Sequence, residues 1–160
     1  MTEISIERAL DVTRATIEAA EFCFLITLGE SGPPDARVMQ SFGPEEDLII
    51  WFGASVDSRK VREIERDPRA TVGYEYGEEG AYVTLLGTAE IVGDLETRRR
   101  CWRESFEAFW PQGPDSDDYV VIRFTPQRIE VMNIERGVAP EPFGLVPLVL
   151  VHSEKGWTLE

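Results

Sequence analysis

The sequence contains little lysine, histidine or cysteine, and these shortages exclude several classes of partner and site. Lysine occurs only at positions 60 and 155, and 30 acidic residues outnumber 16 basic ones, which gives a formal net charge of -14. A charge of this sign opposes binding to nucleic acids and to anionic membrane surfaces. We therefore expect neither a nucleic acid nor a membrane as partner.

Cysteine and histidine are too few and too scattered for a metal site. Cys23 and Cys101 lack the spacing of metal ligands, and His152 is the single histidine. Isolated cysteines of this kind predict reduced thiols in the core rather than redox centres. No hydrolase triad, phosphate-binding glycine loop or zinc signature appears in the sequence, so we expect no metal.

Long apolar runs are also missing. The first seven residues lack the basic start and apolar run of a secretion signal, and no stretch approaches membrane-spanning length. We therefore expect a cytoplasmic protein. A chain of 160 residues can sustain its own core as one domain. We divide it into a main body, residues 1–136, and a tail, residues 137–160, that holds an irregular connection and a short hairpin.

Strand patterns dominate the main body. Apolar spacing predicts an opening helix over residues 5–20, capped by Ser5, and further helices over 58–66 and 94–110. Alternating and β-branched runs predict strands, with the last one either continuous or broken at Pro126. The predicted strands cover residues 22–28, 36–42, 48–52, 70–76, 81–92 and 119–134, with a tail hairpin at 148–151 and 157–159. Gly87 predicts a bulge or a close backbone approach. The order favours an antiparallel barrel with flanking helices over a parallel sheet.

A hydroxyl and two cations stand where the third strand runs into the second helix. Ser58, Arg59 and Lys60 occupy this helix start, where unpaired backbone N–H groups and the positive end of the helix dipole favour an anion. The position predicts a phosphate site. The alternative is that Asp57 or Ser58 only caps the helix while Arg59 and Glu63 form an ordinary i,i+4 pair. This segment alone does not decide between the two.

Arg37 lies inside the second predicted strand and needs a partner, because an arginine is costly to desolvate unpaired. It either reaches the same anion as Arg59 and Lys60 or forms a surface pair with Asp35 or Asp47. Two separate elements that both offer cations in so acidic a chain favour the shared anion.

These segments together resemble the flavin-binding split barrels related to pyridoxamine 5'-phosphate oxidase, in particular their general-stress-protein branch. The resemblance covers most of residues 6–135. It rests on the Arg37-Val38-Met39 strand, on the segment from Trp51-Phe52 to Ser58-Arg59-Lys60-Val61, and on residues 67–72 and 82–89.

The resemblance implies an antiparallel split β-barrel of the FMN-binding type over residues 1–136. In this family FMN lies between the two subunits of a homodimer. By position, its phosphate matches Arg37, Ser58, Arg59 and Lys60, and its ring matches the main chain around Val38, Met39, Trp51 and Phe52. FMN is the expected cofactor, ahead of a deazaflavin or haem.

One departure narrows the expected function. True pyridoxamine phosphate oxidases close their substrate pocket with a C-terminal arginine and histidine separated by one residue, and this pattern is missing around His152. We therefore expect an oxidoreductase that moves electrons between a reduced nicotinamide or similar donor and a small-molecule acceptor, with no catalytic side chain identified. The alternatives are a non-catalytic stress module that binds flavin, haem or a deazaflavin, and a degenerate dimer without cofactor.

Aromatic residues and arginines alternate in the predicted helix over residues 94–110. The arginines at 98–100 and 103 stand beside glutamates, which predicts a solvated charged face. Trp102, Phe106, Phe109 and Trp110 recur at helical spacing and are predicted to pack on the barrel, or to border the ring pocket in a dimer.

Overall fold

One antiparallel sheet of eight strands forms the fold, and the computed structural model describes residues 3–143 and 145–160. The strands are β1 (Cys23–Leu28), β2 (Pro34–Met39), β3 (Ile50–Ser55), β4 (Arg69–Tyr76), β5 (Ala81–Val92), β6 (Tyr119–Asn133), β7 (Leu148–Ser153) and β8 (Gly156–Leu159). The α-helices are α1 (Ile6–Ala19), α2 (Arg59–Arg66) and α3 (Leu95–Arg100). The hydrogen-bonded order is β2-β1-β4-β5-β6-β7-β8, and β3 pairs with β6.

The sheet closes on itself as a barrel with a narrow split. β6 carries β5 on one edge and, on the other, β3 along its first half and β7 along its second half. The Phe42 N–H donates to the Trp51 carbonyl at 2.9 Å, so the chain just beyond β2 touches β3. Within the described residues β2 and β3 have no other ladder between them. The predicted antiparallel barrel with flanking helices is confirmed.

A bulge between β5 and β6 explains why the last strand of the barrel continues through proline. The register shifts between Leu86 and Gly87, so that Gly87 pairs with Pro126 while Gln127 is left out of the ladder. A Cβ atom on Gly87 would lie 2.1 Å from the Thr125 carbonyl oxygen. The close approach predicted at Gly87 is therefore present, and β6 is one strand.

The main core fills the barrel interior and is covered by α1. Ser5 caps this helix by accepting a hydrogen bond from the Arg8 N–H at 3.2 Å, as predicted. The buried face of α1 contains Ala9, Val12 and Ile17 and packs against β4, β5 and β6. α1 therefore covers the three central strands of the sheet.

The predicted helix over residues 94–110 is wrong in its second half. Asp94 caps α3 by accepting from the Thr97 N–H at 2.9 Å, but the helix ends at Arg100 and a 3₁₀ turn follows at Glu104–Ala108. The Tyr119 hydroxyl donates to the Cys101 carbonyl, which a continuous α-helix would use for its own backbone. The break turns Trp102 and Phe106 toward Tyr119.

The C-terminal hairpin extends the main sheet. β7 pairs with β6 and β8 pairs with β7, and Trp157 packs against the main core. Among the described residues, no helix is both long and apolar enough to span a bilayer.

Both cysteines are buried thiols. Burial raises the pKa of Cys23 to about 11 and also raises the pKa of Cys101. Both groups therefore stay protonated at neutral pH and are poor nucleophiles.

Candidate functional site

Arg37 reaches from β2 to a carboxylate on α2. Its Nη2 atom lies 3.1 Å from Glu63 Oε2, and its Nη1 donates to Thr27 Oγ1 at 2.6 Å and to the Leu25 carbonyl at 3.2 Å. The Thr27 hydroxyl in turn donates to Glu63. The partner of Arg37 is therefore Glu63, and neither Asp35 nor Asp47.

Arg59 shares the same carboxylate. Its Nε atom lies 3.6 Å from Glu63 Oε1 and 3.5 Å from Asp35 Oδ2. The i,i+4 pair that the sequence offered as an alternative is thus present. Glu63 also pairs with Arg37, so this one carboxylate brings together a cation from β2 and a cation from α2.

Glu63 is a buried anion within this group of cations. Burial acts to raise the pKa of Glu63, but hydrogen bonds to its neighbours, Thr27 and Arg37 among them, outweigh burial and lower the pKa below its usual range. The carboxylate is therefore ionised at neutral pH and fixes both arginines around it.

Lys60 lies beside Arg37 and Arg59 and forms no ion pair within the described residues. It is half-buried, and burial together with the nearby charges of Arg37 and Arg59 lowers the pKa of its ammonium group. Across residues 3–143 and 145–160 it forms no ion pair, although the chain has 30 acidic residues. Arg37, Arg59 and Lys60, with Ser58 and the central Glu63, are called the α2 cation cluster below.

Ser58 occupies the N-cap position of α2 without acting as a side-chain cap. Its backbone is extended and its carbonyl accepts from the Val61 N–H at 3.1 Å, but its Oγ atom is buried and has no hydrogen-bond partner in the described part of the chain. A buried hydroxyl without a partner is unfavourable. An oxygen-rich anion placed beside Lys60 supplies the missing partner, so the residues present fit a phosphate group.

The four residues predicted near a flavin ring lie on β2 and β3, the two strands that border the split in the barrel. Their side chains point in different directions. Val38 points outward and is exposed, Met39 packs against the main core, and Phe52 is buried in that core. Trp51 belongs to a second core on the other face of β3. All four positions belong to the two strands that border the split: in the described residues β2 pairs with β1 and β3 with β6, and between β2 and β3 the Trp51 carbonyl accepts from the Phe42 N–H.

A cavity of about 530 Å³ lies on the outer face of β2, β1 and β4. Phe22, Phe24 and Val38 line it and are about half-exposed, and Phe24 stands opposite both Val38 and Gly73 in the sheet. A Cβ atom at Gly73 would meet open space. This volume is in the range of small-molecule sites, and its lining is mainly apolar.

The arginines of the α3 region are engaged by aromatic rings, carbonyls and carboxylates. The Arg100 guanidinium lies 4.7 Å from the Trp51 ring centroid, and that of Arg103 lies 4.3 Å from the Phe42 centroid. Arg99 pairs with Asp115 at 2.8 Å. Arg98, Arg99, Arg100 and Arg103 are called the α3 arginine cluster below. The predicted solvated face is therefore half-buried at Arg98 and Arg103.

The aromatic side chains of this region form the second core. Trp102 and Trp110 pack edge-on against Tyr119, and Phe106 packs edge-on against both tryptophans, whereas Phe109 is exposed. A Cβ atom on Gly53 of β3 would lie 2.8 Å from the Phe106 ring, so glycine is required at this contact.

Sequence reasoning missed three members of the site: Glu63 as its centre, Thr27 as a hydrogen-bonding partner, and Asp35 as a second carboxylate for Arg59. A glutamate three residues after Lys60, on the buried side of a short helix, was the available signal for Glu63. Thr27 and Asp35 face each other across β1 and β2, and this register is visible only in the fold.

No group of three or more potential metal ligands occurs among the described residues. The His152 ring packs edge-on against Trp157 at 4.9 Å, in the terminal hairpin. The only histidine of the sequence thus lies in the terminal hairpin, whereas the candidate site consists of cations, the buried Glu63 carboxylate and the unpaired Ser58 hydroxyl.

Comparison with known proteins identifies related sequences and folds. The family model described as pyridoxamine 5'-phosphate oxidase like matches residues 9–139. A protein related to general stress protein 26 from Clostridium acetobutylicum has a similar structure, with a TM-score of 0.72 and 21% identity over 82% of this chain and 92% of that one. No curated protein matches the sequence.

Two further solved structures share the fold. General stress protein 26 from Bacillus anthracis matches with a TM-score of 0.67 and 23% identity, over 77% of this chain and 93% of that one. The pyridoxamine 5'-phosphate oxidase-related, FMN-binding protein of Nostoc punctiforme matches with a TM-score of 0.74 and 16% identity, over 100% of this chain and 98% of that one.

Proposed function

The chain belongs to the pyridoxamine 5'-phosphate oxidase-like family, and on this premise we propose that it is an FMN-binding oxidoreductase. It passes electrons between a reduced nicotinamide or similar donor and a small-molecule acceptor. Two features of the start of α2 together carry the proposal. Lys60 forms no ion pair in the described residues, and the buried Ser58 Oγ has no hydrogen-bond partner there.

The α2 cation cluster supplies the contacts to the FMN phosphate. Lys60 and Ser58 donate to phosphate oxygens, and Arg59 adds a charge-assisted hydrogen bond from the same helix start. Arg37 keeps its hydrogen bonds to Glu63 and Thr27, and it attracts the phosphate through its positive charge without a direct contact. FMN supplies the redox chemistry when bound, and the protein positions it and shields it from water.

The unpaired edges of β2 and β3 give the ring its polar contacts. Backbone N–H and C=O groups around Val38, Met39, Trp51 and Phe52 match the hydrogen-bonding edge of a flavin without needing a specific side chain. The missing arginine and histidine pattern around His152 supports a substrate other than a vitamin B6 phosphate.

The proposal includes a homodimer, in which a second copy of the chain covers the apolar outer face of β2, β1 and β4. Phe22, Phe24 and Val38 form a contiguous exposed patch of the kind that marks protein interfaces. A Phe24→Glu variant then yields monomers in sedimentation experiments under conditions where the wild type sediments as a dimer. A wild type that is monomeric at all concentrations contradicts the homodimer.

The function is tested by visible absorption after incubation with FMN and gel filtration. The proposal predicts flavin bands that co-elute at about one flavin per subunit, followed by steady NADH or NADPH consumption when an acceptor is added. Bound flavin without turnover indicates a non-catalytic flavin module. A colourless protein that excludes FMN removes the proposal, and haem and deazaflavin are then the next ligands to test.

A further inference from the structure

We propose that Asp35 is a positioning residue: it holds Arg59 in the ligand-free protein and thereby lowers the affinity of the α2 cation cluster for a phosphate-bearing ligand. The inference rests on the proposed function, because it concerns the same site. It assigns to one carboxylate the role of competing with the ligand phosphate for an arginine.

Arg59 is held loosely by two carboxylates. Its Nε atom lies 3.5 Å from Asp35 Oδ2 and 3.6 Å from Glu63 Oε1, and both distances exceed the 2.7–3.2 Å of a good N–H···O hydrogen bond. The Arg59 side chain is 64% exposed. Ion pairs of this length to an exposed arginine are weak, so Arg59 can turn toward a phosphate at little cost while Glu63 keeps its bonds to Thr27 and Arg37.

The two carboxylates are not equivalent. Glu63 is buried and is also bonded to Thr27 and Arg37, so it cannot leave its position. Asp35 is 33% exposed and belongs to the strand that starts just after a turn. Asp35 is therefore the partner of Arg59 that can be changed without dismantling the buried pair between Arg37 and Glu63.

The turn between β1 and β2 places the Asp35 carboxylate beside α2. The Gly29 N–H donates to the Pro33 carbonyl at 3.0 Å, and Asp35 faces Thr27 in the ladder. A Cβ atom on Gly29 would lie 2.6 Å from the Pro33 oxygen and 3.2 Å from Asp35 Oδ2. This tight turn holds the carboxylate within reach of Arg59.

The same turn provides a matched control residue. Glu30, Asp35 and Arg59 line one polar cavity of about 530 Å³ between the turn and α2. Within residues 3–143 and 145–160 Glu30 forms no ion pair, whereas Asp35 pairs with Arg59. Neutralising either acid removes one negative charge from this cavity, but only the change at Asp35 also removes one of the two carboxylate partners of Arg59.

The test compares FMN with riboflavin, which lacks the phosphate, by fluorescence titration. Asp35→Asn is expected to tighten FMN binding by about two- to fivefold, the fold-change that corresponds to the loss of one exposed ion pair, and to leave riboflavin binding unchanged. The gain disappears in the Arg59→Ala background, and Asp35→Glu restores the wild-type affinity. Glu30→Gln has a smaller effect than Asp35→Asn.

Three results overturn the inference: an unchanged or weaker FMN affinity in Asp35→Asn, an equal gain in Glu30→Gln, or a gain that persists without Arg59. These differ from failure of the proposed function. If the wild type binds FMN no better than riboflavin, the phosphate site itself is lost and the inference falls with it. If the wild type prefers FMN and Asp35→Asn changes nothing, only the role of Asp35 is lost.

Discussion

The α2 cation cluster and the α3 arginine cluster both concentrate positive charge in a strongly acidic chain, but the fold uses the two in opposite ways. In the α3 cluster, Arg99 pairs with Asp115, and Arg100 and Arg103 lie over aromatic rings. In the α2 cluster, Lys60 has no carboxylate partner in the described chain and Ser58 Oγ has no hydrogen bond. A group of cations therefore indicates a ligand only where some of its members lack partners within the protein.

Unpaired N–H groups also occur near the α3 cluster, and they have a different explanation. Arg103 Nη1 and Trp51 Nε1 are buried without an oxygen acceptor. Arg103, however, lies over the Phe42 ring, whose face takes the place of an oxygen acceptor, and the face of the Trp51 ring is covered by the Arg100 guanidinium. The α2 cluster has no aromatic ring among its members, and this contrast supports the proposal that the ligand site lies at α2.

The largest effect is expected from breaking the buried centre of the α2 cluster. Glu63→Ala leaves Arg37 half-buried without its counter-ion and should lower the free energy of unfolding by about 3–5 kcal/mol, measured by urea denaturation. The matched change in the other cluster is Asp115→Ala, which removes an exposed partner of Arg99. A loss below about 1 kcal/mol at Glu63 would contradict the central role of this carboxylate.

Replacing Lys60 is expected to change ligand binding and protein stability in opposite directions. Lys60→Gln removes a charge-assisted contact and should weaken FMN binding by about 1.5–3 kcal/mol in a fluorescence titration. Because burial and the charges of Arg37 and Arg59 lower the pKa of Lys60, its charge is unfavourable in the free protein. The variant should therefore gain about 0.5–1 kcal/mol in unfolding free energy.

Two outcomes would count against this account of Lys60. Equal FMN affinity in Lys60→Gln and wild type would remove Lys60 from the phosphate site. A variant that loses stability instead would show that Lys60 serves the fold, as the arginines of the α3 cluster do.

Acidification should weaken the α2 cluster through Glu63. The lowered pKa of Glu63 means that its contribution to stability is present above the unfolded value of about 4.3 and is lost as pH falls below it, through the folded pKa. Glu63→Gln removes this contribution, so its unfolding free energy should fall less steeply with acid than that of the wild type. Parallel curves for the two proteins between about pH 5 and pH 2 would contradict the prediction.

The smallest effect belongs to the α3 cluster. Arg99→Ala breaks one exposed ion pair with Asp115 and should leave the unfolding free energy nearly unchanged, because solvent screens such a pair. FMN affinity should be unchanged, as measured in the titration used for Lys60. A clear loss of FMN binding in Arg99→Ala would place both clusters at the ligand and erase the distinction between them.

The sequence predicts the barrel well and the site incompletely, for physical reasons. Strand patterns and turn residues are local, so the succession of strands along the chain and the close approach at Gly87 follow from them, whereas the pairing of the strands does not. The break after α3 depends on the Tyr119 hydroxyl taking the Cys101 carbonyl, which is a long-range contact. The spacing of apolar residues alone therefore predicted a helix that is too long, since α3 ends at Arg100 and not near residue 110.

Long-range contacts also limit what the sequence reveals of the site. Arg37, Arg59 and Lys60 follow from charge and position. Their common partner Glu63 does not, because β2 and α2 meet only in three dimensions. The ring contacts around Val38 and Trp51 stay a prediction, since backbone edges leave no side-chain signature.

The most direct test of the account is the ratio of FMN to riboflavin affinity in the wild type and in Lys60→Gln. If the α2 cation cluster holds a phosphate, the wild type binds FMN more tightly than riboflavin by at least about tenfold, and the ratio falls toward one in the variant while riboflavin binding is unchanged. Equal affinities for the two flavins in the wild type would contradict the account, because the phosphate would then have no binding site on the protein.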